Sequence, residues 1–178
     1  VMHVDTAEAD DIIGVLINTL AEDDKLPPTL ILSSDKDFIQ LQKHKEVKQW
    51  SPLQKKFIVG DAAESLYDKT IRGDTGDGVP NILSSDDTLI TEGKRQTPVT
   101  KKKMELWRGQ KPEEFCNESM LRNYHRNKTM VDLDETPDSI RINIVNQYKN
   151  QEAGNRSQLL NYFVDNRLKN LMEVIDEF

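Results

Sequence analysis

The chain has 178 residues, 31 acidic against 24 basic, a net charge of −7 and 36% hydrophobic residues. That balance predicts one globular domain or two small ones and excludes a disordered chain; no apolar run nears the ~20 residues of a membrane-spanning helix, and no signal peptide is visible. Cys116 is the only cysteine, which excludes an intrachain disulfide and a thiolate zinc site and makes an intracellular setting the expectation.

Residues 1–4 read as a strand, and the chain opens at Val1 rather than Met, which suggests the C-terminal part of a longer protein. Asp5-Thr6-Ala7-Glu8 has capping-box spacing. A helix is expected to run from there to about Leu20, its apolar stripe being Ile12, Ile13, Leu16, Ile17 and Leu20. Glu8 and Asp10 fall near the edges of that stripe, and Asp11 points more toward solvent. After Pro27-Pro28, the run Thr29-Leu30-Ile31-Leu32 reads as a buried strand, which completes one strand–helix–strand unit of a parallel α/β sheet.

The turn Ser33-Ser34-Asp35-Lys36-Asp37-Phe38 follows. In extended chain, residues i and i+2 share a side, so Asp35 and Asp37 would stand together. At about 6 Å and an effective dielectric of about 20 they would repel by roughly 3 kcal/mol. A bound cation or a shared proton is the usual remedy. The plain alternative is that Asp35 caps a helix and Asp37 faces its dipole. A short helix should start near Phe38. Strands are expected at 47–50 and 57–59, and a helix at 62–71.

Next comes Arg72-Gly73-Asp74-Thr75-Gly76-Asp77-Gly78-Val79-Pro80, a tight loop rich in glycine. Asp74 and Asp77 could be plain turn residues there. Beyond Pro80 the spacing predicts helices over 101–107, 113–126, 140–148, 158–164 and 167–178. Between them lie an acidic connector at 132–138 and a loop at 151–157 that contains Gly154, with Ser157 as the next N-cap.

Three acidic groups thus stand out: Glu8 with Asp10 and Asp11, Asp35 with Asp37, and Asp74 with Asp77. Sites in a parallel α/β sheet form at the carboxyl ends of strands. If the groups converge there, they need countercharge, and all-oxygen ligation suits Mg²⁺ or Mn²⁺. His3, His44 and His125 are scattered, which disfavours a histidine zinc site. An EF-hand loop is excluded by spacing. The overall negative charge argues against a nucleic-acid partner, yet Lys94, Arg95, Lys101, Lys102 and Lys103 gather in one region and are candidates for phosphate contacts.

Ala7-Glu8-Ala9-Asp10-Asp11-Ile12-Ile13, Ser34-Asp35-Lys36-Asp37-Phe38 and Gly73-Asp74-Thr75-Gly76-Asp77-Gly78-Val79-Pro80 occur in that order. Together they resemble the 5′-nuclease, or flap endonuclease, superfamily. Val47-Lys48-Gln49-Trp50-Ser51-Pro52 and the terminal Glu-Phe point within it to the ribonucleases H of T-even-type bacteriophages. The resemblance implies part of a parallel-sheet, PIN-like nuclease domain over residues 1–72 and a mainly helical C-terminal domain for DNA and partner binding over 73–178. It implies a hydrolase that uses two Mg²⁺ or Mn²⁺ ions to cut phosphodiesters. Its substrates would be 5′ ends and flaps of branched or duplex DNA and the RNA primers of RNA–DNA hybrids. The setting would be lagging-strand processing in the cytoplasm of an infected bacterial host.

By motif, Asp10, Asp35, Asp37 and Asp74 would be catalytic. Asp10 and Asp35 would hold the first metal with Glu8 nearby and Asp11 beside them. Asp37 and Asp74 would serve the second, with Asp77 binding through water. The family also implies contact with a phage single-stranded-DNA-binding protein through the C-terminal helices.

Two departures qualify this. The family's first strand, two further aspartates and helical arch would precede Val1, so this chain alone is expected to have little or no nuclease activity. And Asn81-Ile82-Leu83-Ser84-Ser85-Asp86-Asp87 replaces the Gly-Ile-Gly-x-Lys run that grips duplex phosphates and a monovalent cation in many relatives. Competing readings are a PIN-type ribonuclease and a catalytically incomplete module that docks on a DNA-binding partner. For the C-terminal stretch, Leu160, Phe163, Val164, Leu168, Leu171, Met172 and Ile175 are read first as core packing and second as a docking face.

Overall fold

The computed structural model describes residues 1–151 and 158–177. Of the loop expected at 151–157, residues 152–157, with Gly154 and the cap at Ser157, lie outside them, as does Phe178. The chain is mixed α/β and mostly helical, with one small sheet of three strands. Among the described residues no helix is long and apolar enough to cross a membrane.

Helix α1 (Ala9–Glu22) buries two faces. Ile17 joins Ile31, Phe38, Leu41, Val47 and Leu133 in one core cluster, while Val15 meets Val4 and Ile144 in another. A stripe wider than a single seam therefore puts α1 between the sheet side and helix α6 (Asp138–Asn150). Its N-cap is Glu8, three residues later than the capping box predicts. Asp11 supplies the reciprocal bond, accepting the Glu8 backbone N–H at 3.0 Å.

Strand β1 (Thr29–Leu32) lies parallel to β2 (Val47–Ser51), with Thr29 opposite Val47 and Leu32 opposite Trp50. Strand β3 (Lys56–Ile58) runs antiparallel to β2. The connection at 52–55 is a tight turn with Lys55 at φ 51°, too short for the crossover that parallel pairing needs. The expected parallel sheet is thus corrected to one parallel and one antiparallel pair. A second correction concerns β1. Only Ile31 is buried, while Leu30 and Leu32 are exposed, because β1 is an edge strand covered by α1 on one face. A third concerns residues 1–4, which form no strand. Among the described residues no strand lies beside them to share hydrogen bonds, and Val4 is buried against α1 and α6 instead.

Past β1, residues Lys36–Lys43 form a 3-10 helix, longer than the usual three or four residues. It packs on α2 (Ala62–Arg72), which Asp61 caps by accepting the Glu64 N–H at 2.8 Å. A third cluster joins Ile71 of α2 to Ile82, Val99 and the buried side of α3 (Lys101–Trp107), Met104 and Trp107. Where one helix is expected over 113–126, there are two, α4 (Pro112–Phe115) and α5 (Glu118–Val131). Asn117 divides them by capping α5, its side chain accepting the Met120 N–H at 2.9 Å. Helix α7 (Leu159–Asp165) falls where one is expected over 158–164, while the final helix expected over 167–178 is likewise divided, into α8 (Lys169–Met172) and a 3-10 turn at Ile175–Glu177.

Candidate metal centre

Asp37 and Asp74 come together because the 3-10 helix after β1 packs against α2, and α2 ends at the acidic loop. Gly73 closes α2 at φ 70° and ψ −173°, a conformation almost confined to glycine. A Cβ there would sit 2.2 Å from the Val79 carbonyl oxygen. The chain then doubles back through an isolated bridge between Asp74 and Val79. The Val79 N–H donates to the Asp74 carbonyl at 2.7 Å. Between those two residues the loop carries Asp77 out beside Asp74.

One carboxylate oxygen each from Asp37, Asp74 and Asp77 lies within 4.8 Å of the others. It is the one such acidic group among the described residues. Asp37 and Asp74 are partly buried and Asp77 is exposed. The Asp37 Oδ1 atom is buried and has no hydrogen bond among the described residues. Its counterion is the Lys69 ammonium on α2, which also donates to Asp74 Oδ2 at 2.7 Å. Asp74 Oδ1 accepts the Gly76 N–H at 3.0 Å. The Lys69 hydrogen bond holds the Asp74 carboxyl below its ordinary range, against the opposing effect of burial; the Lys69 charge and the Gly76 and Asp77 amides add to the lowering.

The other predicted acids lie outside this group. Asp35 caps the 3-10 helix, its Oδ1 accepting the Asp37 N–H at 3.0 Å. The alternative of a capping role therefore describes where Asp35 is. Its turn is held from β2 by Gln49, a fully buried side chain whose Nε2 donates to the carbonyls of both Ser33, at 3.0 Å, and Asp35. Glu8 caps α1. Asp10 accepts the Asp11 N–H at 3.0 Å. Asp11 does not simply face water, as its other oxygen accepts the Thr136 hydroxyl at 3.1 Å. Of the seven acids, the structure gathers three.

Sequence reasoning missed Lys69. Its signal was one of two cations in the last turn of α2, with Arg72, five residues before Asp74, which reads as helix-dipole compensation until the 3-10 helix brings Asp37 alongside it. Gln49 was also missed, because a glutamine at an alternate strand position resembles any polar residue on a solvated face.

Among the basic candidates, Lys94 pairs with Asp87 at 2.6 Å. Arg95, Lys101 and Lys102 are exposed and Lys103 partly so, and none of these four makes an ion pair among the described residues.

A protein of Enterobacteria phage T4 named Ribonuclease H is 36% identical over 186 aligned residues, which include the whole of this chain and 60% of that protein. The chain thus spans less than two thirds of the length of the relative it matches. The family model described as "T4 RNase H, C terminal" matches residues 60–178, well over half of the chain, and on that match the chain belongs to the T4 RNase H C-terminal family.

Proposed function

We propose that this chain is part of a phage 5′-to-3′ nuclease with ribonuclease H activity, a hydrolase that removes RNA primers and adjacent DNA from lagging-strand fragments in the infected host's cytoplasm. The observation that carries the reading is the group Asp37, Asp74 and Asp77, whose carboxylates from two separate acidic motifs meet within 4.8 Å. Three carboxylates within 4.8 Å suit a hard divalent cation, Mg²⁺ or Mn²⁺, better than a soft one. The residues present fit such an ion. It would supply Lewis-acid stabilisation of the charge that develops on phosphorus-bound oxygens.

Asp37 and Asp74 would hold it, with Asp77 at the exposed rim. Asp10 and Asp35, with Glu8 and Asp11 beside them, would serve a second ion in the two-metal arrangement. Residues 1–72 would then carry the metal-bearing part of the nuclease, though not a PIN domain, and residues 73–178 the helical part that binds duplex or branched DNA and RNA–DNA hybrids. The name of the phage T4 relative supports the reaction class.

Calorimetric titration of the chain with Mn²⁺ tests the reading. Saturable binding is expected, weakened at least about tenfold by Asp37→Asn or Asp74→Asn. Binding that neither variant changes overturns it.

A second reading concerns the C-terminal helices. Phe163 is buried and Leu168, Met172 and Ile175 are partly buried, but Leu160, Val164 and Leu171 are exposed, so core packing accounts for only part of this stretch. That exposure favours a docking face, and the partner proposed is a phage single-stranded-DNA-binding protein. Deletion of residues 167–178 should weaken that association; unchanged affinity counts against it.

A further inference from the structure

Lys69 is bound to two of the three carboxylates that a divalent ion would draw on. Its ammonium is ion-paired with Asp37 Oδ1 and donates to Asp74 Oδ2 at 2.7 Å. The three side chains are 19%, 15% and 24% exposed, so the cluster is mostly shielded from water. Two carboxylates this close and this sheltered would repel each other strongly without an intervening cation. Lys69 is therefore what lets the apo group hold its shape. Yet it is bound to two of the three carboxylates a metal would draw on, and an ammonium and a divalent ion held by the same two carboxylates repel each other.

We propose that Lys69 is an internal cation that competes with the divalent metal, holding Asp37 and Asp74 together until metal enters and expels it. This rests on the metal reading above. Lysine suits the part. It is a point charge on a flexible four-carbon stem, with three donors and no fixed fork, so it can leave by rotating its own side chain while α2 stays in place. The exchange has two consequences. The site is assembled before metal arrives, and its apparent affinity is lowered by the cost of displacing Lys69, which sets a threshold concentration for occupancy.

Two measurements on the whole chain test this. In Mn²⁺ titrations, Lys69→Met should bind at least about tenfold more tightly than wild type, because the competing charge is gone. Arg72→Met is the control. It removes the same charge three residues away, from a side chain paired with Asp68 and not with the acidic group, and should shift affinity less than about twofold. In wild type, amine acylation read by mass spectrometry should find Lys69 protected without Mg²⁺ and more reactive with it.

Unchanged or weaker Mn²⁺ binding in Lys69→Met, or equal Lys69 acylation with and without Mg²⁺, overturns the proposal. The failures separate. If Asp37→Asn abolishes binding while Lys69→Met leaves it unaltered, only this inference falls. If neither wild type nor Lys69→Met binds Mn²⁺, the metal reading falls with it.

Discussion

Asn127 donates its side-chain amide to the carbonyl oxygen of Pro80 at 2.9 Å, and the same amide reaches the carbonyl of Thr70, also at 2.9 Å. Those two carbonyls flank the acidic loop on either side. A single side chain on α5, with no exposed surface, thereby fixes the separation of the loop's ends and so the placement of Asp74.

Asn127→Leu should accordingly destabilise the chain by about 2–4 kcal/mol, since two buried carbonyls each lose a partner at about 1–3 kcal/mol. The Arg126 guanidinium still donates to the Pro80 carbonyl at 2.7 Å, which keeps the cost at the lower end. Urea unfolding measures the loss. Mn²⁺ affinity in the still-folded variant should fall as well, because the Asp74 end of the group is no longer held. A change in stability below about 0.5 kcal/mol would show that the clamp carries little.

Gly73 makes the second test of loop geometry. Gly73→Ala must accept a backbone conformation at φ 70° and ψ −173° that side chains avoid, with a Cβ 2.2 Å from the Val79 carbonyl oxygen. The loop has to open to relieve this. A cost of at least about 2 kcal/mol is expected, again read by urea unfolding. A neutral outcome would mean that the α2 terminus adopts another path.

Gln49 does for the first acidic turn what Asn127 does for the second. Its Oε1 is approached by Gln42 Nε2 at 3.4 Å, a long hydrogen bond, while its own Nε2 holds the Ser33 and Asp35 carbonyls. Gln49→Leu keeps the volume and removes the clamp. A loss of about 1–3 kcal/mol is expected from the orphaned carbonyls, and amide exchange at Asp37 should quicken. Protection at Asp37 equal to wild type would place control of the turn in the Asp35 cap alone.

Much of this architecture was legible in the sequence, and the illegible parts have physical reasons. Helix α3 falls where its pattern predicts, because Thr100 caps it and Met104 with Trp107 give it one buried side. The approach of Asp37 to Asp74 was implied by the family resemblance alone, since the local spacing paired Asp37 with Asp35. Leu30 and Leu32 misled because an apolar run states that residues prefer burial, not that something covers them. The strand expected at residues 1–4 failed for the converse reason: β propensity needs a neighbour to pair with. Glu8 and Asp11 went to a helix cap, a local use that competes with ligation and shares its residue types. Lys69 reaches Asp37, and Gln49 reaches Ser33 and Asp35, across separate elements, so no local window could reveal those contacts.

A pH dependence follows from the joint between α1, the 3-10 helix and the connector before α6. His44 Nε2 lies 3.0 Å from Asn18 Oδ1, and the Asn18 amide donates to Asp134 Oδ1 at 2.7 Å, which leaves the asparagine oxygen to accept. Burial, with the Lys43 charge, pushes the His44 pKa below 6.5, against Asp134 and Glu46. The folded chain then binds fewer protons than the unfolded one, so the contribution is full above 6.5 and lost as pH falls toward the folded value. Asp134 titrates lower: burial opposes its ionisation, but Lys43, Asn18 and Arg141 outweigh it and pull its pKa below 3.8. Its contribution is present above 3.8 and lost on further acidification. Urea midpoints should therefore decline in two stages. His44→Gln should flatten the first stage and spare the second; an identical slope in the variant would assign the first stage elsewhere.

The last prediction concerns the basic segment. Lys101, Lys102 and Lys103 open α3 at its N-terminal end, where cations oppose the helix dipole, so helix stability does not explain them. Their neighbours Met104 and Trp107 are buried, which anchors α3 while Lys101 and Lys102 stay in solvent and Lys103 only partly so. Cations that are locally unfavourable, unpaired among the described residues and presented from an anchored helix are suited to phosphate. If they bind duplex DNA, reversing all three to Glu should weaken binding and reduce the slope of log affinity against log salt by roughly 0.9 for each phosphate that is no longer neutralised. Sequence preference should be unaffected, since phosphate contacts position without specifying. Fluorescence anisotropy over a salt series measures both. A slope equal to wild type would remove α3 from the nucleic-acid surface and leave Arg95 and the loop before it as the candidates.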